Sequence, residues 1–283
     1  MQTPEIHLLH RSEFYQIRNY KCFCTECNTT KEEVVNRFHF CFVRSGYFQY
    51  RVFRRELDVH VGRVLISKEG STHFTHHIDN QPDVCSVFEF TSEFLQSLRE
   101  QYKTETSWFF SNNDLHSLVL NCNAEIDYLH HHILTRVNHG FDQLLIDDWV
   151  LRLVDKVMRI LGNRNEVQPI PESSKRYHLV TIEKAKEYLL THFDQNVTLQ
   201  QLASHCCVSI FHFSRLFKSI MRVSPYQYLS GIRLHHAKVL LESTHQTVTQ
   251  IAFQCGYNSL EHFVTAYKQR YQVSPSAHRP VSI

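Results

Sequence analysis

Three sets of side chains in this 283-residue chain have types and spacings suited to chemistry. Cys22, Cys24 and Cys27, in the run Cys-Phe-Cys-Thr-Glu-Cys, are soft-metal donors. Structural zinc sites usually pair two such clusters, and no second one of matching spacing stands elsewhere in the sequence. The three are therefore read as ordinary small side chains, with no metal ion or cofactor expected. A metal- or thiol-redox-sensing role for the cluster is the alternative reading. The second set is histidine: His39, His60, His73, His76 and His77 fall in a stretch of alternating strands. A barrel metalloenzyme would need His-x-His, a following Glu and another His in strand register. Phe38-His39-Phe40 breaks the first element, so His39, Cys41, His73 and His76 are assigned to an effector pocket, with the open surface as the other reading for these histidines. The third set is Phe211, His212, Ser214, Arg215 and Lys218. Arg grips guanine through two hydrogen bonds, Ser donates or accepts, and an exposed Phe packs on a thymine methyl, so this set reads DNA bases. No Gly-rich phosphate loop occurs among the seven Gly, and no nucleophile–base arrangement stands out, so no catalytic residue is expected.

The third set sits inside a pattern written twice. Leu202-Ala203-Ser204-His205-Cys206-Cys207, Phe213, Phe217-Lys218 and Ser224-Pro225 recur as Ile251-Ala252-Phe253-Gln254-Cys255-Gly256, Phe263, Tyr267-Lys268 and Ser274-Pro275. The offset is 49 residues before the turn and 50 after it. Each copy decodes as helix, tight turn, helix. Leu199, Leu202, Ala203 and Cys206 form one apolar stripe behind a Thr198 cap, and Val248, Ile251, Ala252 and Cys255 repeat it behind Thr247. Ser209 and Ser259 cap the second helices, which bury Phe213, Leu216, Phe217 and Ile220 in one copy and Phe263, Ala266 and Tyr267 in the other. Such a unit places its second helix in the major groove. The second copy would present Leu260, Glu261, His262, Thr265 and Lys268 to DNA.

These segments, with Arg233-Leu234-His235-His236-Ala237-Lys238 and Ser224-Pro225-Tyr226-Gln227-Tyr228-Leu229, resemble the AraC/XylS family of bacterial transcription regulators. The resemblance covers about the last hundred residues. Arg222 and Gln272 stand where the family usually has Gly, His278 replaces an aromatic, and Thr265 stands where the second recognition helix often carries Arg. The resemblance implies promoter DNA as a partner, RNA polymerase as another if the chain activates, and a cupin-like β-barrel ahead of the DNA-binding half that senses a small molecule. A cupin-like enzyme fused to a DNA-binding tail is the remote alternative.

The rest of the chain supplies the elements that position these sets. Residues 34–91 alternate as short strands, the pattern of a β-sandwich or barrel. Helices follow over 93–102, 124–137 and 142–161. The resemblance suggests a homodimer contact through 124–161, and a hairpin buried within the monomer is the other reading. His130-His131-His132 points to different sides of its helix and is read as solvated. The overall expectation is an α+β protein of two domains. Residues 1–162 form the cupin-like sensor and dimerisation domain, 163–177 a linker rich in Asn, Gln, Pro and Ser, and 178–283 an all-α domain with helix-turn-helix units at about 198–220 and 247–271. One strut helix, Tyr226 to Glu242, would join the two units. Charge follows the same division: from Lys175 onward there are 12 Lys+Arg against 5 Asp+Glu, and the remainder is net −5. A basic C-terminal domain suits phosphate contacts. No signal peptide or membrane span is read, and nine Cys partly at helix-core positions fit a reducing cytoplasm.

Overall fold

The computed structural model describes residues 4–23, 29–77, 82–138, 142–163 and 172–279, without the side chains of 172–177. Cys24, Cys27 and residues 164–171 of the expected linker lie outside this set. The chain divides into two compact units: Met1–Cys122 with Leu129–Glu183, and Asn123–Tyr128 with Lys184–Ile283.

Unit 1 is built on ten strands, β1 (Glu5–Arg11), β2 (Tyr15–Lys21), β3 (Glu33–Val34), β4 (His39–Ser45), β5 (Tyr47–Val52), β6 (Arg55–His60), β7 (Arg63–Ser67), β8 (Thr72–His77), β9 (Val84–Phe90) and β10 (Ser117–Asn121). They form a six-stranded sheet in the order β1-β2-β9-β4-β7-β10 and a four-stranded sheet in the order β3-β8-β5-β6. Neither sheet closes on itself among the described residues. The expected barrel is therefore two open sheets, because β1 and β10 end the larger ladder without meeting. The hairpins between 39 and 90 follow the alternation in the sequence. Strands β1, β2 and β10 were not anticipated, since their mixed polar composition carries little alternation.

Strand β4 explains why its region reads as apolar on both faces. Cys41 and Val43 join Phe48, Tyr50, Val59, Leu65, Cys85, Val87 and Val119 in one core. Phe38, Phe40 and Phe42 face the other way, against Phe90, Phe88 and Phe110 at ring-centroid distances of 5.0–6.0 Å. Helices α1 (Ser92–Gln101), α2 (Lys103–Phe110), α3 (Ala124–Asn138) and α4 (Gln143–Gly162) follow in the chain. Helix α2 was also missed. Thr91 caps α1.

Two of the three histidines of α3 depart from the solvated reading. His130 and His132 are buried. His130 stacks on Phe42 at 4.5 Å and His132 on Trp149 of α4 at 3.6 Å. The helix is covered on two sides, so positions two residues apart both find aromatic partners. On α4, Ile146, Trp149, Val150, Leu153, Val154, Val157, Met158 and Leu161 are buried, whereas Leu144, Leu145 and Leu151 remain exposed.

Unit 2 is helical. Helix α5 (Glu172–Thr191) begins inside the expected linker, at a Ser-rich stretch that a weak local propensity did not prevent from joining it. Then come α6 (Leu199–His205), α7 (Ile210–Met221), α8 (Pro225–Ser243), α9 (Val248–Gln254) and α10 (Leu260–Tyr271). Thr198, Ser224 and Thr247 each make a complete capping box with a Gln three residues on, and Ser209 and Ser259 accept from His212 N and His262 N. At 19 residues, α8 is a strut of about 28 Å.

Both longer helices of the repeat end on a left-handed residue that is not glycine: Arg222 and Gln272, each at φ 63°. The first turn does the same at Cys207, φ 56°, where the second copy has Gly256. A Cβ at Gly256 would sit 2.7 Å from the Asp194 carbonyl oxygen, so that position requires glycine for space as well as for φ. A left-handed side chain costs roughly 1–2 kcal/mol per residue. Gln272→Gly should accordingly raise the stability of unit 2 by about 0.5–1 kcal/mol, after the looser unfolded chain is counted. An unchanged or lowered denaturation midpoint would show that its side-chain bond to the Gln269 carbonyl, 3.0 Å, matters more.

Candidate nucleic-acid interface and sensor pocket

The core of each helix-turn-helix unit fixes what its second helix can present. On α7, Phe213, Leu216, Phe217, Ile220 and Met221 point inward. That leaves Phe211, Arg215 and Lys218 exposed, with His212 and Ser214 half-buried beside them. Phe211 is 83% exposed, which a helix buried in a bundle would not tolerate. On α10, Phe263 and Tyr267 point inward, and Glu261, His262, Thr265 and Lys268 are exposed. Leu260 is half-buried and packs on the second unit's core, so it is placed for packing more than for contact. His262 lies 3.3 Å from the Tyr226 hydroxyl and edge-on to Tyr257. Glu261 accepts from the Ser259 hydroxyl at 3.0 Å. Its own backbone N–H and that hydroxyl hold its carboxyl below the usual range.

Two positioning groups had no sequence signal of their own. Arg233 on α8 donates to the carbonyls of Phe193 and Gln195, both at 2.7 Å, and lies over the Tyr257 ring. It ties the loop before α6 to the strut. Asp127 is buried and accepts from Lys186 Nζ and from the Tyr228 hydroxyl, each at 2.8 Å. In sequence, Asp127 looks like any acidic residue in a helix's first turn.

In unit 1, a cavity of about 410 Å³ opens between the sheets. His39, Cys41 and His73 line it, together with Cys22, His77 and Asp83. His76 does not; its Nδ1 meets the Thr29 hydroxyl at 3.1 Å instead. His60 is a core residue, its Nδ1 2.6 Å from the Val61 carbonyl. Burial first, and then the nearby His39, push His73 down to about 4. His39 is likewise lowered by burial. The Cys85 thiol is raised by its hydrogen bond to Cys41 and by burial. His39, His73 and Cys85 are thus uncharged at neutral pH.

An acid sensitivity follows. Each histidine has a folded value below its unfolded one near 6.5, so the unfolded chain binds more protons as pH falls. The stability they contribute is present above pH 6.5 and should be lost as pH drops toward about 4. Both tryptophans, Trp108 and Trp149, lie in unit 1, so its melting can be followed by their fluorescence. His73→Phe should flatten the decline between pH 6.5 and 4; an unaltered slope would assign the decline to other groups.

A capped pair of helix-turn-helix units with exposed Arg, Lys and aromatic side chains is the architecture of a DNA-binding domain. Residues 202–280 match the family model described as a helix-turn-helix domain. Over 86 residues the chain is 34% identical to the HTH-type transcriptional regulator ArgR of Pseudomonas aeruginosa, covering 30% of this chain and 26% of that one. Over 88 residues it is 32% identical to the HTH-type transcriptional activator RhaS of Klebsiella pneumoniae, covering 31% and 32%. A third relative, the uncharacterized HTH-type transcriptional regulator YdeC of Bacillus subtilis, aligns at 20% identity over 87% of this chain and 85% of its own length. The first two matches span about a quarter to a third of those relatives' length. The C-terminal domain is thus similar to the helix-turn-helix domains of these transcriptional regulators.

Proposed function

We propose that this chain is a sequence-specific transcription regulator that lays α7 and α10 into adjacent major-groove segments of double-stranded promoter DNA. The observation that carries this reading is the pair of capped units whose outward faces hold Phe211, Arg215, Lys218 and Lys268. The basic balance from Lys175 onward supports it. We assign reception of a small-molecule signal to residues 1–162, in the cavity lined by His39, Cys41 and His73. The exposed Leu144 and Leu151 on α4 support a homodimer through that helix; most of α3 is buried within the chain and contributes less. A cytoplasmic location and binding rather than catalysis complete the reading. No helix of the described residues is long and apolar enough to cross a membrane. An activator of this kind would also contact RNA polymerase.

The direct test is salt dependence. Full-length protein on its promoter DNA should lose affinity linearly in log K against log salt between roughly 50 and 200 mM, as phosphates shed counterions. Lys218→Ala should reduce the slope by about one and weaken all sequences alike. A flat dependence, or no binding at low salt to any sequence selected from random DNA, would remove the regulatory reading.

A further inference from the structure

Three buried side chains at one rim of unit 1 form a set that the cavity's other residues do not explain. Cys22 follows the end of β2, His77 ends β8, and Asp83 precedes β9. The Cys22 amide donates to the Asp83 carbonyl at 2.9 Å, so pairing of β2 with β9 brings the thiol to the carboxylate. Gly46, at φ 88°, closes the other side: a Cβ there would lie 2.7 Å from Asp83 Cα. Only a residue without a side chain lets the β4–β5 turn press on this corner.

One donor atom from each of the three side chains lies within 4.8 Å of the others, and all three are buried. Cys22 Sγ is 3.6 Å from His77 Nε2. Two ligands of a tetrahedral zinc, at about 2.3 Å for sulfur and about 2.0 Å for nitrogen, stand about 3.5 Å apart. On the other side of the ring, His77 Nδ1 pairs with Asp83 Oδ2 at 2.7 Å. A ligating imidazole commonly sets its second nitrogen against a carboxylate, and here that pairing holds Nε2 toward Cys22.

We propose that Cys22 Sγ and His77 Nε2 bind a thiophilic divalent cation of the zinc type, with Asp83 orienting the imidazole and the remaining positions open to the cavity. The inference rests on the sensory role proposed for this unit and names its signal class. Thiolate and imidazole suit Zn²⁺ over Mg²⁺ or Ca²⁺, which take oxygen ligands. Coordination deprotonates the Cys22 thiol and releases that proton to solvent, so uptake is also a proton-release event. Cys22 thereby takes a part that the sequence offered only together with Cys24 and Cys27.

The test uses the purified, reduced, metal-free full-length chain titrated with Co²⁺, then competed with Zn²⁺. One equivalent should bind, giving a thiolate-to-cobalt charge-transfer band that zinc displaces. Cys22→Ser should abolish the band. His77→Gln and Asp83→Asn should each weaken affinity at least tenfold, the lower end of what metal-site substitutions cost. Cys41→Ser, in the same cavity, should leave band and stoichiometry in place. No saturable uptake by the wild-type chain would overturn the site. So would a band that survives Cys22→Ser, whether or not it vanishes in Cys24→Ser or Cys27→Ser. DNA binding is measured on the same preparation. Metal uptake without DNA binding would support the site and remove the regulatory role, while DNA binding without uptake would do the reverse.

Discussion

Asp127→Ala should cost unit 2 about 3–5 kcal/mol, the range for removing one partner of a buried ion pair. Asp127 and Lys186 are both buried, and the carboxylate serves the Tyr228 hydroxyl as well. The alanine variant takes this acceptor away from a buried ammonium and a buried hydroxyl. Asp127→Asn keeps an acceptor for Tyr228 and should lose less. Combining Asp127→Ala with Lys186→Met should recover part of the loss, since two apolar groups need no partner there. Because unit 2 contains no tryptophan, its unfolding is read from helical circular dichroism against the tryptophan signal of unit 1. A change within about 0.5 kcal/mol, the scale of an ordinary surface substitution, would mean that water reaches the pair. A C-terminal fragment starting at Lys175 keeps Lys186 but lacks Asp127, and is expected to be weaker than the same unit in the whole chain.

Arg215→Ala should relax base preference at one or two positions of the binding site, by roughly 1–3 kcal/mol of discrimination per lost guanine contact. The counterpart on α10 is Thr265, short and uncharged, with the ionised Glu261 one turn away. Glu261 repels phosphate unless it meets a cytosine amino group, so the half-site under α10 should be read loosely, through backbone contacts and thymine methyls. Thr265→Ala should change little. Binding sites selected from random DNA decide between the two helices. A motif equally sharp in both halves, or sharper in the half facing Thr265, would reverse the assignment.

The helical half was legible because its signals are local. Caps at Thr198, Ser209, Thr247 and Ser259, and the buried Phe213, Phe217, Phe263 and Tyr267, lie within a turn or two of the features that announce them. Leu260, in a helix's first turn, leans partly onto the core, which its sequence position does not reveal. Arg222 and Gln272 departed from the family's usual residue, yet both keep the left-handed geometry that a glycine would supply. The sandwich was less legible. Strands 39–90 alternate, but β1, β2 and β10 gain their place only by pairing with strands far along the chain. The Cys22–His77–Asp83 corner has the same cause: 55 residues separate the thiol from the imidazole, and strand pairing alone unites them. His130 and His132 were misplaced because a histidine stacked on an aromatic ring looks, in sequence, like one in water.

Sheet order also sets a schedule for folding. Strand β2 pairs with β9, so Tyr15 meets Phe90, and β10 joins β7 only once residue 121 exists. A ribosome therefore releases about 120 residues before the larger sheet has all its strands. Contacts so far apart in sequence form slowly. The helix-turn-helix units close over a few tens of residues and fold on a much faster clock. The half made first therefore waits with an incomplete sheet while its later strands are synthesised, and its open β1 edge is exposed to aggregation during that interval.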